Sequence, residues 1–356
     1  MPFASKYLSA MWQQGLDARF NPNVAIMKEQ ANATEKSIAK LQAKFGSQIK
    51  PITKHQSAII SSGLEPAVVI AGAGSGKTET MSNRVLYLVA NGFATPDQIL
   101  GLTFTRKAAG ELSVRIRKRL RQLSQLPEFK HITSTSTAVT TYHSYAGKLL
   151  SEHAIRYGID ADADPLGEAA IWQIASDVVR NWSDDSYRND SAVSTVIKDL
   201  LGLSKLMLEH QVKAADIEAI GNEMLEKLQG LAGSTNEDTR AVARAMRQRN
   251  SLLPMVEAFM ERRKAAGELS FDDQMSLAAD IAQNFEDVGT LERGKYKVVL
   301  LDEYQDTSQS QVRMLSALYG NFVSETGHPV MAVGDPSQAI YTWRGASAGT
   351  MASFLP

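Results

Sequence analysis

Five short apolar runs stand out from the polar background of the chain, near Val68–Ala71, Ile99–Thr103, Ala138–Tyr142, Val298–Asp302 and Val330–Val333. Each is continuous and too short for a helix, the pattern of a strand buried on both faces. Patterns of helical spacing mostly separate them, and that alternation predicts a parallel α/β sheet. Between the third and fourth runs lie about 150 residues of helical character, with Ile171, Ile174, Ala175 and Val178 on one face. A loop of that length is not expected inside a compact domain, so most of it reads as an inserted helical subdomain. At the N-terminus, Asn21-Pro22 reads as a helix start, Ile38, Leu41 and Phe45 share a face, and Gly46 is a stop signal. The expected division is a helical extension over 1–50, a first part of the α/β domain over 51–150, the helical insertion over 151–265, and the second part of the α/β domain over 266–356.

Composition narrows the classes. A chain of 356 residues with 44% hydrophobic residues can bury a substantial core. Its formal net charge of -1 means that any polyanion must be held by a local basic surface. No apolar run approaches the roughly 20 residues of a membrane span, and Met1–Leu16 lacks the order of a signal peptide, which makes the cytoplasm the expected location. The absence of cysteine excludes disulfides, thiolate zinc sites and iron–sulfur clusters from this chain.

The chemistry begins at Ala71-Gly-Ala-Gly-Ser-Gly-Lys-Thr78, a Walker A element in which Ala71 replaces the first glycine. Glycines let backbone N–H groups curl around phosphate oxygens at a helix N-terminus, where the helix dipole also favours negative charge. Lys77 is expected to reach the β and γ phosphates, and the Thr78 hydroxyl to ligate Mg²⁺. Val298-Val-Leu-Leu-Asp-Glu303 is an apolar strand ending in two carboxylates. Asp302 there is expected to orient Mg²⁺, and Glu303 to polarise an attacking water. Asp160, Asp162 and Asp164 have the spacing of calcium ligands, but Pro165 stands where a glycine turn is needed and Ile171 where a bidentate Glu is needed. A polar turn capping a helix is the better reading of that segment.

Further motifs carry a family resemblance. Residues 52 to about 348 resemble the first motor half of superfamily 1A DNA helicases, the UvrD, PcrA and Rep group. Ile52-Thr-Lys-His-Gln56 ends in a glutamine matching the one that reads adenine in that family. Leu102-Thr-Phe-Thr-Arg-Lys-Ala-Ala109 resembles LTFTNKAA, with Arg106 for the usual Asn, and Thr141-Tyr-His-Ser144 resembles TFHS. Leu301-Asp-Glu-Tyr-Gln-Asp-Thr307 resembles VDEFQDT, where Gln305 and Asp306 extend the match, and Val333-Gly-Asp-Pro-Ser-Gln-Ala-Ile-Tyr-Thr-Trp-Arg-Gly345 resembles VGDxxQSIYxWRG. Ser270-Phe-Asp-Asp273 resembles DFDD but opens with Ser.

The resemblance implies a RecA-like P-loop NTPase domain that uses ATP and Mg²⁺. It implies nucleotide contacts from Gln56 and from the run Ala71, Gly72, Ala73, Gly74, Ser75, Gly76, Lys77, Thr78 and Glu79. It gives catalytic roles to Lys77, Asp302, Glu303 and the γ-phosphate sensor Gln338, with Thr78 and Asp302 toward the metal. Single-stranded DNA and DNA junctions are the implied partners, held by Thr105, Arg106, Tyr142, His143, Ser144, Tyr341, Trp343 and Arg344. The helix after Arg106 adds Lys107, Arg115, Arg117, Lys118, Arg119 and Arg121 over a buried stripe of Leu112, Ile116, Leu120 and Leu123, a pattern that fits a solvated face as well as a DNA-facing one.

Helicases of this superfamily close their ATP site with arginines from a second RecA-like domain, and no segment up to Pro356 matches it. The expected function is therefore the N-terminal region of an ATP-dependent 3′-to-5′ DNA helicase and translocase of repair or replication, nearly inactive by itself. The alternatives are the motor of a helicase–nuclease similar to AddA or RecB, and a non-catalytic module that holds nucleotide or DNA.

Overall fold

The apolar runs become strands β1 (Ala67–Ile70), β2 (Ile99–Thr103), β3 (Ala138–Thr141), β4 (Val298–Leu301) and β5 (Val330–Gly334). The computed structural model describes residues 51–157, 166–183, 191–230, 237–265, 271–320, 327–339, 350–352 and 354. The N-terminal helical reading over 1–50, the calcium-like segment at Asp160, Asp162 and Asp164, Ser270, and the trio Tyr341, Trp343 and Arg344 lie outside those residues. Three runs, those of β1, β3 and β4, end one residue earlier than their spacing suggests. At β3, the Thr141 hydroxyl accepts from the Ser144 amide at 3.1 Å, so Tyr142 already belongs to a helix. At β4, Glu303 takes a left-handed φ of 49° that turns the chain out of the strand direction just past Asp302.

The strands pair in parallel in the order β1-β5-β4-β2-β3. Around them are α1 (Lys54–Ile60), α2 (Lys77–Ala90), α3 (Arg106–Ser124), α4 (Tyr142–His153), α5 (Glu168–Arg180), α6 (Val193–His210), α7 (Ala214–Gly230), α8 (Glu237–Ala265), α9 (Phe271–Asn284), α10 (Glu286–Lys295) and α11 (Gln309–Tyr319). Successive strand residues point to opposite faces, and they join the two cores alternately with that period of two. Leu100, Leu102, Val299, Leu301, Val330 and Ala332 join one core with α4, α9, α10 and α11. Ile99, Val298, Leu300, Met331 and Val333 join the other with α1, α2 and α3, whose predicted stripe of Leu112, Ile116, Leu120 and Leu123 is buried there. Both faces of the sheet are thus covered, as a parallel sheet requires.

A third apolar cluster is separate from the sheet and is built from α5, α6, α7 and α8, with Leu200, Val256 and Phe259 at its centre. It meets the sheet layers through Gln211, the left-handed C-cap of α6 at φ 50°. The Gln211 amide donates to Asp280 of α9 at 3.1 Å and accepts from Arg313 of α11 at 2.9 Å.

The connection from β1 through α2 to β2 passes over the places of β5 and β4, so the C-terminal ends of β1, β5 and β4 lie side by side. Open α/β sheets bind ligands at such an edge, where the strand order reverses.

Candidate nucleotide site and nucleic-acid edge

β1 leads into the glycine loop, whose first amide, Ala71 N, donates to Gly334 O at 2.9 Å and ties the loop to the end of β5. Gly74 and Gly76 have φ of 71° and 87°, a region that a side chain makes costly. Gly76 caps α2 with no side-chain hydrogen bond, so the first amides of that helix are not closed by a capping side chain. Lys77 opens α2, and its ammonium lies 3.3 Å from the Glu303 carboxylate.

On the other side of the loop, Thr53 and Gln56 form a capping box at the start of α1. The same Gln56 side chain donates to Ser75 O at 3.0 Å, and a Cβ on Gly76 would lie 2.8 Å from its Nε2. A cavity of about 290 Å³ opens here between Gln56, Ile59, Ile70, Gly72, Lys77 and Thr80. Sequence reasoning missed what anchors this corner. Arg84 of α2 is 3% exposed and donates to Ile60 O at 2.8 Å, Ser62 O at 2.5 Å and Gly63 O at 2.5 Å, closing the carbonyl end of α1. Burial lowers its guanidinium to about 10.

The acidic strand end lies beside this loop. Asp302 is 6% exposed, and its carboxylate accepts from the Glu303 amide at 3.1 Å. Burial, then repulsion from Glu303, raises it from 3.8 to about 6, with Lys77 and the amide pulling the other way. Gln305, 1% exposed, donates to Glu303 at 2.8 Å and accepts from the Asp335 amide at 3.0 Å. Asp335 in turn accepts from Gln338 Nε2 and from the Ser337 amide, and these hydrogen bonds, Gln338's first, hold its carboxyl below the usual range. Asp335 was not among the expected site residues. Its signal was an Asp followed two and three residues later by Ser337 and Gln338, the pattern of a side chain capping its own turn.

Two expected contacts are engaged elsewhere. Glu79 turns from the loop to α3, pairing with Arg115 at 2.8 Å and Arg119 at 2.5 Å. Burial pushes its carboxyl up, but the Arg119 and Arg115 guanidiniums outweigh that and hold it below its ordinary value. The same pairs commit two cations of the basic helix, while Lys107, Arg117, Lys118 and Arg121 remain exposed. Tyr142 is 1% exposed and donates to Asp302 O at 3.1 Å, so it packs beneath the acidic strand end and presents no ring to a DNA strand.

The remaining described candidates for nucleic acid, Thr105, Arg106, His143 and Ser144, share one edge. Thr105 caps α3 by accepting from the Ala108 amide at 3.1 Å, with Arg106 exposed beside it. His143 and Ser144 are exposed at the start of α4. Because Thr103 pairs in register with Thr141, both groups lie at the C-terminal ends of neighbouring strands.

A glycine-cradled loop between strand and helix, on a parallel sheet with paired acids two strands away, defines a P-loop α/β domain of the RecA-like motor kind. Within that class, residues 52–356 match the model of the UvrD/REP helicase N-terminal domain, and the chain belongs to that family. It is 30% identical over 303 residues to the ATP-dependent DNA helicase UvrD1 of Mycobacterium bovis, across 85% of this chain and 35% of the relative. The protein of the same name from Mycobacterium tuberculosis gives the same figures. The ATP-dependent DNA helicase PcrA of Staphylococcus aureus is 25% identical over 299 residues, across 84% of this chain and 35% of the relative. The chain thus spans about a third of the length of the curated relatives it matches. Among the described residues no helix is long and apolar enough to cross a membrane.

Proposed function

We propose that this chain is the N-terminal motor region of an ATP-dependent DNA helicase that moves 3′ to 5′ along single-stranded DNA, acting at repair or replication structures in the cytoplasm. The observation that carries the reading is the convergence at one sheet edge of the glycine loop, the Lys77–Glu303 pair and the Asp335–Gln338 turn. The family's relatives, named as ATP-dependent DNA helicases, support the same assignment. In this reading 51–150 and 266–356 form the motor, 151–265 is its helical insertion, and 1–50 is an extension.

The residues fit a magnesium nucleotide. Left-handed Gly74 and Gly76 carry no side chain where phosphate oxygens would lie, and the Lys77 ammonium stands at the adjoining Glu303 carboxylate. Gln56 faces the base side, while Thr78 and the ionised Asp302 offer two oxygens for Mg²⁺, enough for an ion that keeps several waters. When bound, the metal neutralises charge that develops on the phosphates. Glu303 is the group placed to accept a proton from attacking water, since its carboxylate is half-exposed and is steadied by Lys77 and Gln305. Gln338 stands on the turn beside the loop as the γ-phosphate sensor. DNA contacts are assigned to Thr105, Arg106, His143 and Ser144 on the neighbouring strand ends, and to Tyr341, Trp343 and Arg344.

The test is ATP hydrolysis measured with and without a single-stranded oligonucleotide, together with binding of a non-hydrolysable ATP analogue. Binding that is lost in Lys77→Ala, with turnover lost in Glu303→Gln, supports the reading. Binding indifferent to Lys77 overturns it.

A further inference from the structure

One buried amide joins the acidic strand end to the turn that follows β5. Gln305 Nε2 donates to Glu303 Oε2 at 2.8 Å and to Asp306 Oδ2 at 3.3 Å, while its Oε1 accepts from the Asp335 amide at 3.0 Å. The orientation of the amide is forced, because ionised carboxylates only accept and a backbone N–H only donates. No other side chain of this length offers both functions. A Glu would set a third carboxylate against Glu303 and Asp306, and a Leu or Met would abandon both partners.

The surrounding backbone is shaped to this side chain. A Cβ on Gly334 would lie 2.3 Å from Gln305 Oε1 and 3.2 Å from its backbone N, so only glycine lets the end of β5 come this close. Gly334 O also receives the first amide of the glycine loop at 2.9 Å. The Lys77–Glu303 pair, the Gln305 amide and the Asp335 backbone therefore form one continuous chain of contacts across three adjacent strand ends.

We propose that Gln305 is a positioning residue that ties the Glu303 carboxylate to the Asp335–Gln338 turn, so that a shift of that turn reorients the group that accepts the proton. The inference rests on the nucleotide-site reading above. It predicts that Gln305 governs turnover and the coupling between turn and loop, and leaves nucleotide affinity to Lys77 and the glycines.

The experiment uses the whole 356-residue chain and its Gln305→Leu and Gln305→Glu variants. Affinity for a non-hydrolysable ATP analogue with Mg²⁺ is measured by calorimetry, ATP hydrolysis under single-turnover conditions, and amide hydrogen exchange at Asp335, Ser337 and Gln338. Both variants should bind within about twofold of wild type and hydrolyse on the order of 10- to 100-fold more slowly, as for other residues that orient a catalytic group from behind. The protection that nucleotide confers on the three amides should vanish, and this arm decides alone if hydrolysis is too slow to time. Wild-type turnover and protection in both variants overturn the proposal, as does a parallel loss of affinity and turnover with a lowered melting temperature, which marks a purely structural role. If Lys77→Ala binds nucleotide as wild type does, the site reading itself fails, whatever the Gln305 variants do.

Discussion

The Lys77 ammonium and the Glu303 carboxylate meet at 3.3 Å although 226 positions separate them in the chain. The pair brings the cation that opens α2 to the acid just past β4, and under the proposed function both would face a bound triphosphate. Lys77→Ala is expected to abolish binding of Mg²⁺–ATP in calorimetry, because the loop then keeps its backbone donors but loses its charge at the β and γ phosphates. Unchanged affinity would remove the nucleotide assignment.

Asp302 gives a sign-specific prediction about stability. Its folded value of about 6 lies above the ordinary 3.8, so the fold binds the proton more tightly and ionisation opposes folding. That penalty is complete above about pH 6 and is relieved as pH falls through 6 toward 4. In metal-free buffer Asp302→Asn, whose side-chain oxygen can still accept from the Glu303 amide, should be the more stable protein near pH 8, by at most about 3 kcal/mol. The advantage should shrink toward pH 4 in thermal melts with chelator. An Asn variant less stable than wild type near pH 8 contradicts it.

Tyr142 separates a packing role from a DNA role. Tyr142→Phe removes the bond to Asp302 O and should cost about 0.5–1.5 kcal/mol in urea denaturation, with no change in oligonucleotide affinity. Arg106→Ala should instead weaken single-strand binding, which ought to drop steeply with salt. A Tyr142→Phe variant that loses DNA would return the ring to the nucleic-acid edge.

From within the core Arg84 donates to the last carbonyl of α1, Ile60 O, and to Ser62 O and Gly63 O just past it. Arg84→Met leaves those acceptors without their donor and should destabilise the protein by about 2–5 kcal/mol, with Arg84→Lys intermediate. Since α1 carries Gln56, preference for ATP over GTP should also fall at temperatures where the variant is folded. A competition titration reads that preference, and full retention would show that α1 holds its place without Arg84.

Much of this protein follows from local chemistry. Runs of apolar residues named the five strands found among the described residues and the parallel class, because a strand buried on both faces has no polar alternation to hide it. Gly74, Gly76 and Lys77 were legible because one short loop contains the whole requirement: backbone that side chains cannot follow, then a cation at a helix start.

What the sequence could not decide are contacts between distant segments and the exposure of a polar or aromatic residue. Tyr142 and His143 are neighbours at the start of one helix, yet helical geometry sends the first beneath Asp302 and leaves the second in solvent. Glu79 follows the phosphate loop, but it turns to Arg115 and Arg119 because α3 packs against α2. Arg84 reads as any cation on an amphipathic helix until α1 is packed against it. Gln305 and Asp335 meet only because β4 and β5 are neighbours in the sheet. The sequence by itself determined which described segments are strands and which loop is glycine-rich, since each rests on steric limits within a few residues. Tertiary structure alone decided which charges and amides face one another, because strand order and helix packing bring groups 30 to 226 positions apart within hydrogen-bonding distance.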